Sequence, residues 1–191
     1  LAIELAAARV RAMTVTDINA RLQDRYRLLT GGARGLQQRQ QTLRALVDWS
    51  YDLLTPAERA LFNRLGVFVG GFDLDAAEMV CGAAPLAPMD VLDLLASLVE
   101  KSLVMLDASR ETGRYRMLET LRDYARDQLG QAGETLPTAE RHCVHFLALA
   151  KEANRGLKGP DHAAWIRRIE DEVDNLRSAM GLALSGAVDP I

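Results

Sequence analysis

Ser102-Leu-Val-Met-Leu-Asp-Ala-Ser-Arg-Glu-Thr-Gly-Arg-Tyr-Arg-Met117 is the one stretch of this chain that carries a convincing β signal. Its two ends, 102–106 and 114–117, predict short strands, and the polar, glycine-ended segment 107–113 between them predicts a hairpin loop. The surroundings are helical. Aromatic residues make up only 5% of the chain, and Ala, Leu, Arg and Glu fill long segments with a 3.6-residue apolar period.

Upstream of the hairpin, residues 88–100 place Val91, Leu94, Leu95 and Leu98 on one helical face, and downstream residues 118–129 return to helix. Further upstream, Gly70-Gly71 forces a turn within 67–72, and Asp73 caps a short helix reaching Val80. Thr55-Pro56-Ala57-Glu58 is the strongest local signal. Thr55 can accept the N3 amide, Pro56 fits the first helical position, and Glu58 can reach back to the cap amide. The helix it starts carries Leu61, Phe62 and Leu65. Another helix begins near Thr42, with Leu43, Leu46, Val47, Ser50 and Leu54 on one face. Three helices, a fourth, a hairpin and a closing helix, in that order over 42–130, spell a winged-helix domain.

The flanks are helical as well. Residues 1–12 predict one helix and 16–29 a second, with Thr16 as N-cap and Ile18, Leu22, Tyr26 and Leu29 on one stripe. Gly31, Gly32 and Gly35 break that helix, so 1–32 is expected as a helical subdomain and 33–41 as a linker. A second linker is expected at 131–137. Beyond it, helices over 138–154 and 161–184 form a pair of α-solenoid type, the start of a further domain at 138–191. The expected class is mainly α, with a single β-hairpin.

The 191 residues are 49% hydrophobic and 26% charged with a net charge of −3, a composition too apolar for disorder and unlike that of a generally cationic nucleic-acid binder. No run approaches the roughly 20 apolar residues of a membrane span, and Glu4 stands where a leader peptide would be basic. A cytoplasmic protein without membrane contact is expected. Cys81 and Cys143 form no CxxC pair, so no disulfide framework is indicated. Beginning at Leu1 inside a helical pattern, the chain is expected to be a piece of a longer one.

Chemistry is sparse. His142, Cys143 and His145 crowd one helix, but no third well-placed ligand accompanies the histidines, so no metal site is expected. No nucleophile–base spacing and no phosphate-binding glycine motif appears, and no catalysis is expected of this segment. Glu170, Asp171, Glu172 and Asp174 lie within helical reach of Arg167, Arg168 and Arg177, the pattern of a solvated, ion-paired face. Arg25, Arg27, Arg34, Arg39 and Arg44 span a stretch without Asp or Glu, which fits phosphate contact or an exposed interdomain linker. The helix before the wing carries Asp90, Asp93 and Glu100 against Lys101 alone, a charge pattern that DNA would repel. The wing is mildly basic: Arg110, Arg114 and Arg116 are offset by Asp107 and Glu111.

Six phrases together resemble a known family: Leu1-Ala-Ile-Glu-Leu-Ala-Ala-Ala-Arg, Arg39-Gln-Gln-Thr-Leu-Arg, Asp48-Trp-Ser-Tyr-Asp-Leu-Leu, Glu58-Arg-Ala-Leu-Phe, Val67-Phe-Val-Gly-Gly-Phe and Tyr115-Arg-Met-Leu-Glu-Thr-Leu-Arg-Asp-Tyr-Ala. They look like the STAND-type (NB-ARC-like) ATPase regulators of bacteria, of the large LuxR and antibiotic-pathway kinds. The resemblance implies a P-loop ATPase core upstream of Leu1, then a helical lid domain, the winged helix and a helical-repeat sensor. It implies ADP or ATP as the cofactor of the parent protein, with none held by this segment. It also implies contact with the parent's own ATPase core, an inducer or protein partner at the helical region, and DNA contact by another domain. Self-association is a further possibility it leaves open. The family's winged helix often ends its hairpin in Met-His-Asp, whose His contacts the ADP phosphate. Met117, Leu118 and Glu119 stand at the matching positions, and Leu118 cannot form that hydrogen bond. Arg116 is a candidate replacement phosphate donor, and Glu119 a candidate for the acidic contact.

Three functions are therefore expected in competition: a regulatory segment of a nucleotide switch, a DNA-binding winged helix using 25–44 and the wing, or a scaffold. The scaffold would act through Trp165, Ile169, Leu176 and Met180.

Overall fold

The computed structural model of the protein describes residues 14–17, 36–108 and 113–186. The predicted helix over 1–12 and most of that over 16–29 lie outside them. At the start of the latter, residues 15–17 are already helical, and the Thr14 hydroxyl accepts from the Asp17 amide at 3.2 Å. The cap is thus Thr14 and not Thr16, which lies within the first turn. α1 spans Leu36–Asp52, six residues longer at its start than the sequence pattern predicts, so 36–41 is helix and not linker. Gln and Arg, which fill 37–41, are good helix formers, and no Gly or Pro interrupts them.

α2 (Pro56–Leu65) opens with both arms of the predicted capping box: the Glu58 amide donates to Thr55 Oγ1 at 3.3 Å and the Thr55 amide to Glu58 Oε2 at 2.8 Å. Its Leu61, Phe62 and Leu65 are at most 1% exposed and form the centre of the core. Gly70, at φ +87°, turns the chain so that Phe72 bridges Tyr115 through two backbone hydrogen bonds of 2.9 and 2.8 Å. α3 (Leu74–Cys81) is capped by Asp73, whose carboxylate accepts from the Ala76 amide at 2.8 Å. A 3₁₀ turn at Pro88–Asp90 leads into α4 (Val91–Glu100), which buries Val91, Leu95 and Leu98.

The hairpin is shorter and later than the sequence pattern predicts. β1 (Met105–Asp107) pairs antiparallel with β2 (Arg114–Arg116), in the register Met105↔Arg116, Leu106↔Tyr115, Asp107↔Arg114. Residues 102–104 instead close α4. Ser102 sits at φ +59°, its amide donates to Val99 O and the Leu103 amide donates to Leu98 O, each at 2.9 Å. This is a Schellman cap with serine in the glycine position. Leu103 and Val104 are buried by that turn and not by a sheet.

α5 (Glu119–Gln131), α6 (Thr135–Gly156) and α7 (His162–Leu184) complete the chain. The expected second linker shrinks to 132–134, because α5 continues past Gly130 and α6 begins before Pro137. Pro137 falls in the first turn of α6, where a missing amide hydrogen loses no bond. At the α6–α7 joint a Cβ on Gly156 would lie 1.9 Å from Trp165 Nε1, so any other residue there has to displace the indole. Ala139, Cys143, Phe146, Leu149 and Ala179 from this helical pair belong to the same apolar cluster as Phe62, Phe68 and Leu95. The described residues are thus mainly helical with a two-stranded sheet, in winged-helix order, and the helical pair shares the winged helix's core.

Candidate functional site

In winged-helix folds the helix before the wing is the one that commonly meets the target, and α4, packed beside α3, stands at that position. From 74 to 100 the sequence has no Lys or Arg and five carboxylates: Asp75, Glu78, Asp90, Asp93 and Glu100. Burial of Val91, Leu95 and Leu98 turns the opposite side of α4 outward, with Leu92 47% exposed and Met89, in the preceding turn, 84% exposed. Asp93, Ala96 and Glu100 share that side. Lys101 does not relieve the charge, because its ammonium turns inward to the buried Glu58 carboxylate, which also accepts from Ser97 Oγ at 2.5 Å. Burial pulls the Glu58 carboxyl upward. The hydrogen bonds from Lys101, Ser97 and the Thr55 amide outweigh it and hold the group at about 2.

The wing is fastened. Arg114, on β2, donates through Nη1 to Glu172 Oε1 at 2.5 Å and through Nη2 to the carbonyls of Asp171 at 2.5 Å and Gly71 at 3.2 Å. Asn175, fully buried, donates from Nδ2 to Glu172 Oε2 and to Gly71 O, both at 2.7 Å, and accepts from the Val69 amide at 2.7 Å. One polar network therefore joins the hairpin, the 69–71 turn and α7. It corrects the expectation of a solvated acidic face: Glu172 is 4% exposed and pairs with the wing instead of with Arg167, Arg168 or Arg177. Arg177 and Asp174, 3.7 Å apart and exposed, keep the predicted surface pairing, and Arg168 lies over the Trp165 ring.

Arg116 is at the exposed end of β2, opposite Met105. Met117 and Leu118 pack against the core, Leu118 as the extended residue preceding α5. Glu119, exposed, pairs with Arg122 one turn on. Met117, Glu119 and Arg122 line a shallow cleft of about 70 Å³ against Gly70 and Gly71, and Arg122 Nε is buried there without a hydrogen-bond partner. A second cleft of about 150 Å³ lies between Gly70, Asp107, Arg114 and Arg116. The Arg116–Glu119 segment and the glycine turn thus share one neighbourhood.

The basic stretch is not part of that neighbourhood where it is described. Arg25, Arg27 and Arg34 lie outside the described residues, as does the side chain of Arg39. Arg44 is 3.5 Å from Asp127 and 5.9 Å above the Tyr124 ring, about two turns along α5 from Glu119.

His142 and Cys143 face the core, and His145 is half-buried against Phe146. Burial holds the His142 imidazole at about 4. Neither ring nitrogen makes a hydrogen bond. On α7 the inward line is Glu172, Asn175 and Ala179; Trp165 and Leu176 pack at its edge, Ile169 is half-buried and Met180 is 59% exposed.

Sequence reading misses Asn175 of the wing network and, elsewhere, Arg64. Arg64 is 2% exposed, and its guanidinium donates to the carbonyls of Cys81, Ala83 and Ala84 and to both oxygens of Glu134, at 2.5–3.1 Å. The signal for it was present: a lone Arg between Phe62 and Leu65 on the apolar face of α2.

Residues 54–130 match the winged helix-turn-helix domain family. A putative HTH-type transcriptional regulator of Mycobacterium tuberculosis is 51% identical over 179 residues, which is 94% of this chain and 20% of its own length. The like-named protein of Mycobacterium bovis matches to the same extent. An uncharacterized protein of M. tuberculosis is 42% identical over 147 residues, 76% of this chain and 37% of its own length. The chain thus spans a fifth to just over a third of the relatives it matches. No solved structure matches it.

Proposed function

From the premise of a winged helix-turn-helix at 54–130 in a chain whose half-identical relatives carry the name of HTH-type transcriptional regulators, we propose a regulatory rather than a catalytic or DNA-reading role. The segment works by packing. It transmits the state of a nucleotide-bound module in the parent protein to the helical region, and DNA is contacted elsewhere in the parent. The single observation carrying this reading is the outward side of α4 and of the turn before it, which presents Met89, Leu92, Asp93 and Glu100 and no cation. A helix entering the major groove must neutralise phosphates, and carboxylates there oppose it. The wing supports the same reading, because Arg114 is held by Glu172 and by backbone carbonyls.

The nucleotide in this proposal is ADP or ATP, in keeping with the STAND-type resemblance. Arg116 and Glu119 beside the 70–71 turn are the residues of this chain closest to the role of phosphate and cross-domain contacts, and the Leu118 side chain supplies no hydrogen bond. A bistable contact between this face and a nucleotide module, favoured in one nucleotide state, would be the switch. Two measurements test the reading. The 191 residues alone should leave a random DNA duplex unshifted at low salt, and calorimetric titration should find no micromolar binding of ADP or ATP. A salt-dependent duplex shift would replace it with the DNA-binding alternative.

A further inference from the structure

We propose that the outward side of α4 is a docking surface for a protein whose contacting face carries Arg or Lys around apolar anchors. This deepens the packing role proposed above and rests on it. Met89, Leu92, Asp93, Ala96 and Glu100 recur at spacings of three and four along one side of the 3₁₀ turn and α4. Met89 and Leu92 are 84% and 47% exposed, so two large apolar side chains stand in solvent on an element that buries its other face completely. Asp93 and Glu100 flank them, and α3 adds exposed Asp75 and Met79.

Charge decides the occupant. The 27 residues from 74 to 100 contain five carboxylates and no Lys or Arg, and the next cation, Lys101, is held by Glu58. Phosphate-bearing partners, whether a duplex or an anionic lipid surface, meet like charge across the whole helix pair. A second copy docking through the same side would bring two faces together whose charges are all carboxylates, since a two-fold interface pairs a patch with itself. A cationic protein surface meets opposite charge at the rim and finds Met89 and Leu92 at the centre. The flexible thioether of Met89 adapts to an irregular partner.

The test uses the whole chain, labelled with ¹⁵N, and three probes: a Leu/Arg amphipathic helical peptide, its Leu/Glu counterpart and a random DNA duplex. The expected result is a salt-dependent shift of the amides of 89–100 by the Leu/Arg peptide and by neither other probe. Asp93→Lys with Glu100→Lys should weaken that binding about tenfold or more and transfer it to the Leu/Glu peptide. Both positions are exposed, and a melting curve matching the parent chain verifies the fold of the variant. Shifts scattered over other acidic surfaces and unchanged in the double variant overturn the proposal while leaving the packing role standing. Concentration-dependent shifts of the same amides without any probe also overturn it, in favour of self-association. Duplex binding at these amides overturns both.

Discussion

At Ser102 a non-glycine residue adopts the left-handed conformation because the Schellman cap of α4 requires it. That geometry costs an L-residue about 1 kcal/mol relative to glycine, so Ser102→Gly is expected to raise unfolding free energy by about 0.5–1 kcal/mol in urea titrations. The Arg114–Glu172 pair carries the opposite expectation. Glu172→Gln or Arg114→Met leaves a buried partner uncompensated and should destabilise by about 3–5 kcal/mol, whereas replacing both with apolar residues should recover most of the loss. A double-mutant cycle measures the recovery. The buried imidazole of His142 titrates at about 4 instead of its ordinary 6.5, so the unfolded chain binds the extra proton between these values. Stability attributable to His142 is therefore complete above pH 6.5 and falls as pH drops toward 4; His142→Leu should flatten the melting temperature over that interval. Glu58, held at about 2 against an ordinary 4.5, adds a second loss below pH 4.5. Local capping residues such as Thr55 and Asp73 were legible in the sequence, because their partners lie three positions away. Apart from the Asn175–Glu172 bond within one turn of α7, the partners of Arg64, Arg114 and Asn175 lie 17 to 106 positions away, and no local spacing announces them.

Among the elements, periodicity located each described helix, and errors concentrated at their ends. The strand expected from 102 failed because Leu103 and Val104 are apolar for a reason other than sheet formation: they plug the core beneath the α4 cap. Pro137 misled in the same way, since a first-turn proline and a linker proline look alike in sequence. The α6–α7 turn is an element-level constraint of its own. Trp165 occupies the space a side chain at 156 would need, and Gly156→Ala should therefore cost about 1–3 kcal/mol through overpacking, read as a lower thermal midpoint.

For the whole molecule, the boundary drawn after α5 has no counterpart in the packing. Phe68 stacks on Phe72 with centroids 4.6 Å apart and meets His142 and Phe146 of α6 at 5.6 and 6.3 Å. A core shared in this way predicts one cooperative calorimetric transition for winged helix and helical pair together. Deleting the chain after Gln131 should uncover that aromatic cluster, with dye binding and loss of the sharp transition as the readout. The acidic balance of 88–101 was legible in the sequence; which of its side chains face outward, and that Lys101 turns inward to Glu58, were not. Nor was the wing's attachment, because it depends on which helix folds back over the hairpin. That attachment has a mechanical consequence. Since Arg114 grips carbonyls of both Gly71 and Asp171, a slide of α7 by even one residue's rise, about 1.5 Å, drags the glycine turn and the hairpin along as one stiff lever.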